Sequence, residues 1–337
     1  MTSPRPTPGV THSRGPLRPT GAGPAVVVLV LVTLAALIPL LGPSAALHGT
    51  GEAETPGAGA IALLRTVLFA ALCIPVGELF VNRLARSLPG TQASPPALPR
   101  SWSPLAAAAG FLAALGLASV VATGNLVPDD VADIDVGGLY ASRDGKLALL
   151  EVNAFLLAGL CAVSRRPVTQ VWPLAAVVVA EALRAHPTTE HSPLTGSGLT
   201  LVHLTCAALW AGGLLHALRT LRLWPRTAGA ALLGLYARVA VVLLAAVTAT
   251  GVCSSLRRMP PETVLEQLPG TAYGRALLAK VLLVAVVAAL AVWARRRLRR
   301  AADPLTACAP ARAEVAALGL AVAASGLLTA LPVPIRW

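Results

Sequence analysis

Long apolar runs recur along the whole chain and restrict its fold more than any other feature. Nine runs of about 17–25 residues are each long enough to cross the hydrocarbon core of a bilayer as a helix. Because lipid offers the backbone no hydrogen-bond partners, and the alternation of barrel strands is absent, each run is predicted to be helical. We therefore predict an all-α, polytopic membrane bundle of about nine transmembrane helices, at residues 25–41, 57–81, 103–123, 147–163, 168–184, 198–218, 232–255, 275–294 and 312–331.

The composition agrees with a membrane protein and excludes several other classes. The chain is 55% hydrophobic and 12% charged, whereas soluble domains have about 25% charged residues. A soluble cytosolic enzyme, a disordered protein and a coiled coil are therefore excluded as descriptions of the whole chain. No hydrolase, kinase or nucleotide-binding motif is found, and we expect no enzymatic activity.

The chain divides into three predicted regions. Residues 1–24 are rich in Pro, Gly, Ser and Thr and are predicted to be a disordered cytoplasmic tail. Residues 25–190 form an N-terminal membrane region of five helices, and residues 191–337 form a membrane domain of four helices. The run that begins at Ala25 lacks a convincing cleavage site and is followed by further spans, so it is predicted to be a helix rather than a signal peptide.

The net charge of +12 follows from the membrane topology and does not indicate nucleic-acid binding. If the N-terminus lies inside, the inner segments hold 17 of the 27 lysines and arginines, while ten of the 15 acidic residues lie outside. Positive charge marks the cytoplasmic side of membrane proteins. We therefore predict an N-terminus inside, a C-terminus outside, and a multi-pass protein of the plasma (inner) membrane.

Histidines concentrate towards the outer side of the sixth predicted span. His186 and His191 precede this span, and His203 and Cys206 lie one turn apart on one face of it. Imidazole and sulfur together suit copper, so these four residues are the candidate metal ligands. Glu151 and Glu181, which lie within predicted spans, are weaker candidates for a polar path or for proton coupling.

Two other metal chemistries can be weighed from the same residues. A methionine ladder for soft copper is excluded, because Met259 is the only internal methionine and it lies in a predicted outer loop. A pair of bis-histidine haems also fails, because His216 has no histidine partner in another span. A single outer haem on His203 with His186 or His191 stays open.

Three stretches of the C-terminal part resemble the copper resistance D (CopD-like) membrane proteins. They are LVHLTCAALWAGGLLHAL at 201–218, LYARVAVVLLAAVTATGV at 235–252 and LPGTAYGRALLAK at 268–280, followed by LTALPVP at 328–334. The resemblance covers about 40% of the chain. It implies roles for the residues that match the family motifs: His203, Trp210, Gly212, Gly213, Arg238, Tyr273, Gly274, Arg275 and Lys280, with His186 resembling the histidine that often precedes this helix.

The resemblance implies a copper-handling protein that moves copper from the outer side towards the cytoplasm. Copper is then the one expected ligand, and the expected partners are the lipid bilayer and an extracytoplasmic copper-binding protein, with no nucleic acid. Two alternatives are an extracytoplasmic copper-binding assembly factor for cuproenzymes and a haem-bearing electron-transfer protein. The methionine-rich outer segments of some relatives are absent, and the first five helices match only in general character.

Overall fold

The computed structural model describes residues 22–53, 55–88, 97–124, 126–128, 130, 135–188, 190, 192–259, 261–300 and 308–332. Over these residues the protein is helical and contains no strand, which confirms the predicted all-α class. The helices are α1 (Ala22–Leu47), α2 (Ala58–Arg86), α3 (Ser103–Ala122), α4 (Val136–Ala141), α5 (Arg143–Val163), α6 (Val171–Arg184), α7 (Pro193–Leu221), α8 (Arg226–Arg258), α9 (Val264–Gly270), α10 (Ala272–Arg300) and α11 (Cys308–Leu328). Of the predicted tail, all but its last three residues lie outside the described part.

Eight of these helices are long and apolar enough to cross a membrane: α1, α2, α3, α5, α7, α8, α10 and α11. They coincide with eight of the nine predicted spans, and the chain is a multi-pass membrane protein. The remaining prediction, 168–184, is found as a 3-10 turn over Pro167–Gln170 followed by the 14-residue α6. At 1.5 Å per residue α6 is about 21 Å long, shorter than the roughly 30 Å hydrocarbon core.

Helix α2 lies at the centre of the bundle and packs against α3, α7 and α11. One apolar core surrounds the fully buried Phe155 between α2, α3, α5 and α6, and a second surrounds Trp210 and Tyr236 between α7, α8, α10 and α11. The second core contains the cavity described below, so the helices that enclose it are also those that position its polar groups.

The closest helix crossing joins α2 to α7 through glycine. A Cβ atom added at Gly212 would lie 1.7 Å from the carbonyl oxygen of Cys73, and one added at Gly77 would lie 2.0 Å from the carbonyl carbon of Gly212. No side chain fits between the two backbones at these positions. The Trp-x-Gly-Gly string of the sequence is thus a contact surface that lets α7 approach α2, as small residues do in membrane helices.

One end of the bundle is held together by a buried carboxylate. Glu78 accepts hydrogen bonds from the hydroxyls of Ser101 (2.6 Å) and Ser103 (2.7 Å) and from Arg219 Nη1 (3.0 Å). His216 Nε2 lies 3.1 Å from Asn82 Oδ1. These contacts join the end of α2, the start of α3 and the end of α7. We call this end, where α2, α7 and α10 terminate in arginines, the basic end.

Candidate functional site

A cavity of about 90 Å³ lies between α7, α8, α10 and α11, in the half of the bundle towards the basic end. Its polar lining consists of Trp210, Tyr236, Arg295 and Glu314. Trp210 Nε1 donates to Glu314 Oε1 (3.2 Å), and the Tyr236 hydroxyl donates to the Trp210 carbonyl (2.6 Å). Since Glu314 is only 4% exposed, its carboxyl group is presented to the cavity rather than to lipid headgroups.

His203 lies on α7 about seven residues, or some 10 Å, beyond Trp210 towards the opposite end. Its Nδ1 lies 3.0 Å from the Thr250 hydroxyl of α8, and that hydroxyl donates to the Ala246 carbonyl (2.7 Å). The hydroxyl proton is therefore already used in the bond to Ala246, and the hydroxyl oxygen acts as the acceptor for His203. We therefore assign the proton of the imidazole to Nδ1. Nε2 then has the free lone pair, which is the arrangement that metal-ligating histidines adopt when a second group holds the other nitrogen.

Lys280 of α10 lies close enough to His203 to interact with it electrostatically. Its ammonium charge opposes a second positive charge on or next to the imidazole. A cation at His203 would therefore be held less tightly than in a site surrounded by carboxylates.

Cys206 lies one turn from His203 on α7, is partly buried and is a free thiol. No group of three or more His, Cys, Asp or Glu side chains that could hold a metal ion converges among the residues described. The arrangement is thus a ligand pair on one helix face and not a closed metal cage.

His186 lies in the loop before α7, and both of its ring nitrogens have protein partners. Nδ1 lies 2.6 Å from Glu190 Oε2, and Nε2 lies 2.9 Å from Thr200 Oγ1. Arg257 of α8 donates to Glu190 (3.2 Å) and to the Ser192 hydroxyl (2.8 Å). Burial lowers the pKa of His186, while Glu190 acts in the opposite direction.

The loop is thereby joined to α7 and α8, and Thr200 lies one turn before His203 on α7. His186 is close to the candidate site but already bonded at both nitrogens. His191, the other predicted ligand, lies outside the described residues.

The Thr-x-Tyr-Gly-Arg string forms a junction at the end opposite the basic end. Arg258 Nη1 donates to the Tyr273 hydroxyl (3.3 Å), and Arg275 donates to the carbonyls of Pro269 (2.7 Å) and His48 (2.6 Å). These contacts join the start of α10 to α8, α9 and the chain after α1. In this structure Tyr273 and Arg275 therefore position α10, whereas Arg238 is exposed on α8.

Glu151 and Glu181 belong to a buried charge cluster with two arginines. Arg184 Nη2 lies 2.8 Å from both Glu151 Oε2 and Glu181 Oε1, and Arg65 of α2 is hydrogen-bonded to Glu181. Glu151 is fully buried. The cluster connects α2, α5 and α6, with two positive and two negative side chains.

Glu314, Thr250 and Tyr236 are not predicted from the sequence to be functional. Glu314 lies near the end of a predicted span, where an interfacial position is expected. A usable signal was Trp210, the one tryptophan in the middle of a span, since a buried indole N–H needs an acceptor. The acceptor lies 104 residues further along the chain, and nothing in the sequence pattern indicated which helix would provide it.

Comparison with known proteins connects the C-terminal helices to copper. Residues 230–331 match the family model of copper resistance protein D (CopD). The match includes most of α8 and all of α9 and α10 and α11, and it begins after α7, so His203, Trp210, Gly212 and Gly213 lie before it. No curated protein and no solved structure gave a significant match. The chain is thus a multi-pass membrane protein whose residues 230–331 form a region similar to copper resistance protein D.

Proposed function

We propose that this protein is a copper transporter of the plasma membrane that takes up copper at the end opposite the basic end and conducts it towards the cytoplasm. The observation that carries the proposal is the position of His203. Its Nε2 is left free by the bond from Nδ1 to Thr250, and it lies on the same helix as the cavity that contains Glu314. The similarity of residues 230–331 to copper resistance protein D supports copper as the substrate.

Copper binds first at His203 in this proposal, with Cys206 as the second ligand from the next turn. Imidazole nitrogen and thiolate sulfur are both suited to copper. Because Lys280 opposes positive charge there, the ion is held weakly enough to move on, as conduction through any pore requires. His186 can join only after its bond to Thr200 is broken.

Glu314 is the next polar group towards the basic end. It is the one acidic residue among those that line the cavity in the described part of the chain, and Trp210 orients its carboxyl group. A copper ion that leaves His203 would exchange a nitrogen ligand for a carboxylate oxygen. Apart from Trp210, Tyr236 and Arg295, the rest of the lining is aliphatic.

The copper is delivered from outside by an extracytoplasmic copper-binding protein in this scheme, and no catalysed reaction is part of it. The predicted outer segments hold ten of the 15 acidic residues. A surface with an excess of negative charge raises the local concentration of cations.

Purified protein in liposomes tests the proposal. We expect wild-type protein to accumulate copper in the lumen, and His203→Ala to lower the rate to that of protein-free liposomes. His48→Ala is the matched control, because His48 is exposed and, among the described residues, its hydrogen bonds are made by backbone atoms. Equal uptake by wild type and His203→Ala would contradict the site.

Glu314→Gln separates binding from conduction. We expect this variant to bind copper as wild type does, because His203 is intact, and to transport it more slowly. Copper that binds to wild-type protein without reaching the lumen would instead support an assembly factor for cuproenzymes. A Soret absorption band in the purified protein would support the haem-bearing alternative.

A further inference from the structure

A second cavity on the described surface is separate from the candidate copper site. It is a groove of about 490 Å³ between α2, the 3-10 turn, α6 and α7, within the size range of about 300–1,000 Å³ for small-molecule sites. It exists because α6 packs mainly on α5 and α7 and makes little contact with α2. The short helix therefore leaves part of the α2 and α7 surfaces uncovered.

The groove opens sideways to the bilayer. Three valines on its rim, Val168, Val171 and Val179, are 53%, 45% and 40% exposed. Its walls are almost entirely aliphatic, with Leu79, Leu174 and Leu209 among them. In a membrane-spanning bundle such a surface is covered by hydrocarbon chains.

Two arginines stand at one end of the groove. Arg83 and Arg86 are one turn apart at the end of α2 and therefore share a helix face, and both are exposed. Arg86 Nε donates to the Asn82 carbonyl (3.2 Å), which leaves its terminal nitrogens free to point elsewhere. Among the described residues that line the groove there is no acidic side chain to neutralise them.

The dimensions match one leaflet. From Val76 to Arg86 the groove follows α2 for ten residues, or about 15 Å, which is half of the roughly 30 Å hydrocarbon thickness. The aliphatic part therefore occupies the depth of acyl chains, and the guanidinium groups lie at the depth of phosphates. Guanidinium binds phosphate in a bidentate way.

We propose that an anionic phospholipid from the leaflet at the basic end binds in this groove, with an acyl chain along α2, α6 and α7 and its phosphate on Arg83 and Arg86. The bound lipid fills the gap that the short α6 leaves and so joins α6 to α2. An anionic phospholipid combines both features. A free phosphate has no acyl chain to pack against the aliphatic walls, and a zwitterionic lipid has a positive headgroup charge that weakens its attraction to the two arginines.

The test measures lipid binding and thermal stability of the full-length protein in detergent. Phosphatidylglycerol and phosphatidylcholine with identical acyl chains are titrated, and bound lipid is counted by native mass spectrometry. We expect phosphatidylglycerol to bind more tightly and to raise the melting temperature more. In Arg83→Gln/Arg86→Gln, its dissociation constant should rise about thirtyfold, as expected for the loss of two basic residues at the headgroups.

Two further variants test whether the effect depends on the position of the arginines and on the shape of the groove. Arg222→Gln/Arg296→Gln removes two exposed arginines from the same end of the bundle but outside the groove, and it should bind phosphatidylglycerol as wild type does. Ala175→Trp fills the groove from an exposed position on α6 and should weaken both lipids without changing the charge. Equal binding of the two lipids to wild type, an equal loss in both arginine pairs, or competition by glycerol phosphate as effective as the lipid would overturn the proposal.

Discussion

The ligand properties of His203 depend on a hydroxyl group in another helix. The Thr250 hydroxyl accepts a hydrogen bond from Nδ1–H and donates one to the Ala246 carbonyl, which keeps the imidazole in one tautomer and orientation. Thr250→Val removes this bond with little change in volume. We expect copper affinity to fall by about 10–100-fold, the usual effect of losing a group that orients a metal ligand.

A chromophoric chelator competing for copper measures this affinity. Thr205→Val is the matched control: the Thr205 hydroxyl makes the same bond to the preceding turn, to the Leu201 carbonyl (2.8 Å), whereas the hydroxyl bonded to His203 is that of Thr250. If Thr250→Val and Thr205→Val bind copper equally well, the imidazole is not oriented by Thr250.

From the sequence, the relative positions of functional residues could be predicted only within a single helix. The spacing of His203 and Cys206 places both on one face of α7, because helical geometry fixes that relation. The partners Thr250 and Lys280 are provided by α8 and α10, and they depend on how those helices are rotated about their axes. For the same reason the sequence predicts Glu151 and Glu181 only as acids near the ends of their spans, and it does not indicate their shared partner Arg184.

At the level of helices, the α2–α7 crossing is the contact most sensitive to side-chain size. A methyl group at Gly212 would collide with the Cys73 carbonyl, and this is a backbone atom that cannot rotate away. We expect Gly212→Ala to lower the free energy of unfolding by about 1–3 kcal/mol, as overpacking of a tight core does. Thermal unfolding in detergent measures the effect.

Gly234→Ala is the control for this prediction, because a Cβ atom at Gly234 of α8 meets nothing within 4 Å. Alanine is the better helix former by about 0.8–1.0 kcal/mol, so this variant should be as stable as wild type or more so. Equal destabilisation by both changes would show that the crossing does not require glycine.

Eight of the predicted spans were found because hydropathy and length alone determine whether a helix can cross a bilayer. The segment 168–184 has a suitable composition but a shorter helix. Pro167, Thr169 and Gln170 occupy the 3-10 turn, and so the apolar stretch that remains for α6 is reduced to 14 residues. The prediction from apolar composition made this helix too long, because composition carries no information about local backbone geometry.

For the molecule as a whole, orientation in the membrane remains a prediction from charge. Seventeen of the 27 basic residues lie in the segments at one side of the nine predicted spans. On that side, the end of α2, the start of α3 and the end of α7 meet at Glu78, which is hydrogen-bonded to Arg219. If positive charge marks the cytoplasm, the basic end is inside, and His203 is reached from the outside.

Two single cysteines test this orientation in a background from which the five natural cysteines have been removed. Ser164→Cys is exposed between α5 and the 3-10 turn at the basic end, and Thr188→Cys is exposed between α6 and α7 at the opposite end. In intact cells a membrane-impermeant maleimide should label Thr188→Cys alone, and Ser164→Cys should react only after the cells are opened. The reverse pattern would place His203 nearer the cytoplasm, and a transporter using this site would then take up copper from inside, so the proposed direction of transport would fail while the proposed ligands would stand.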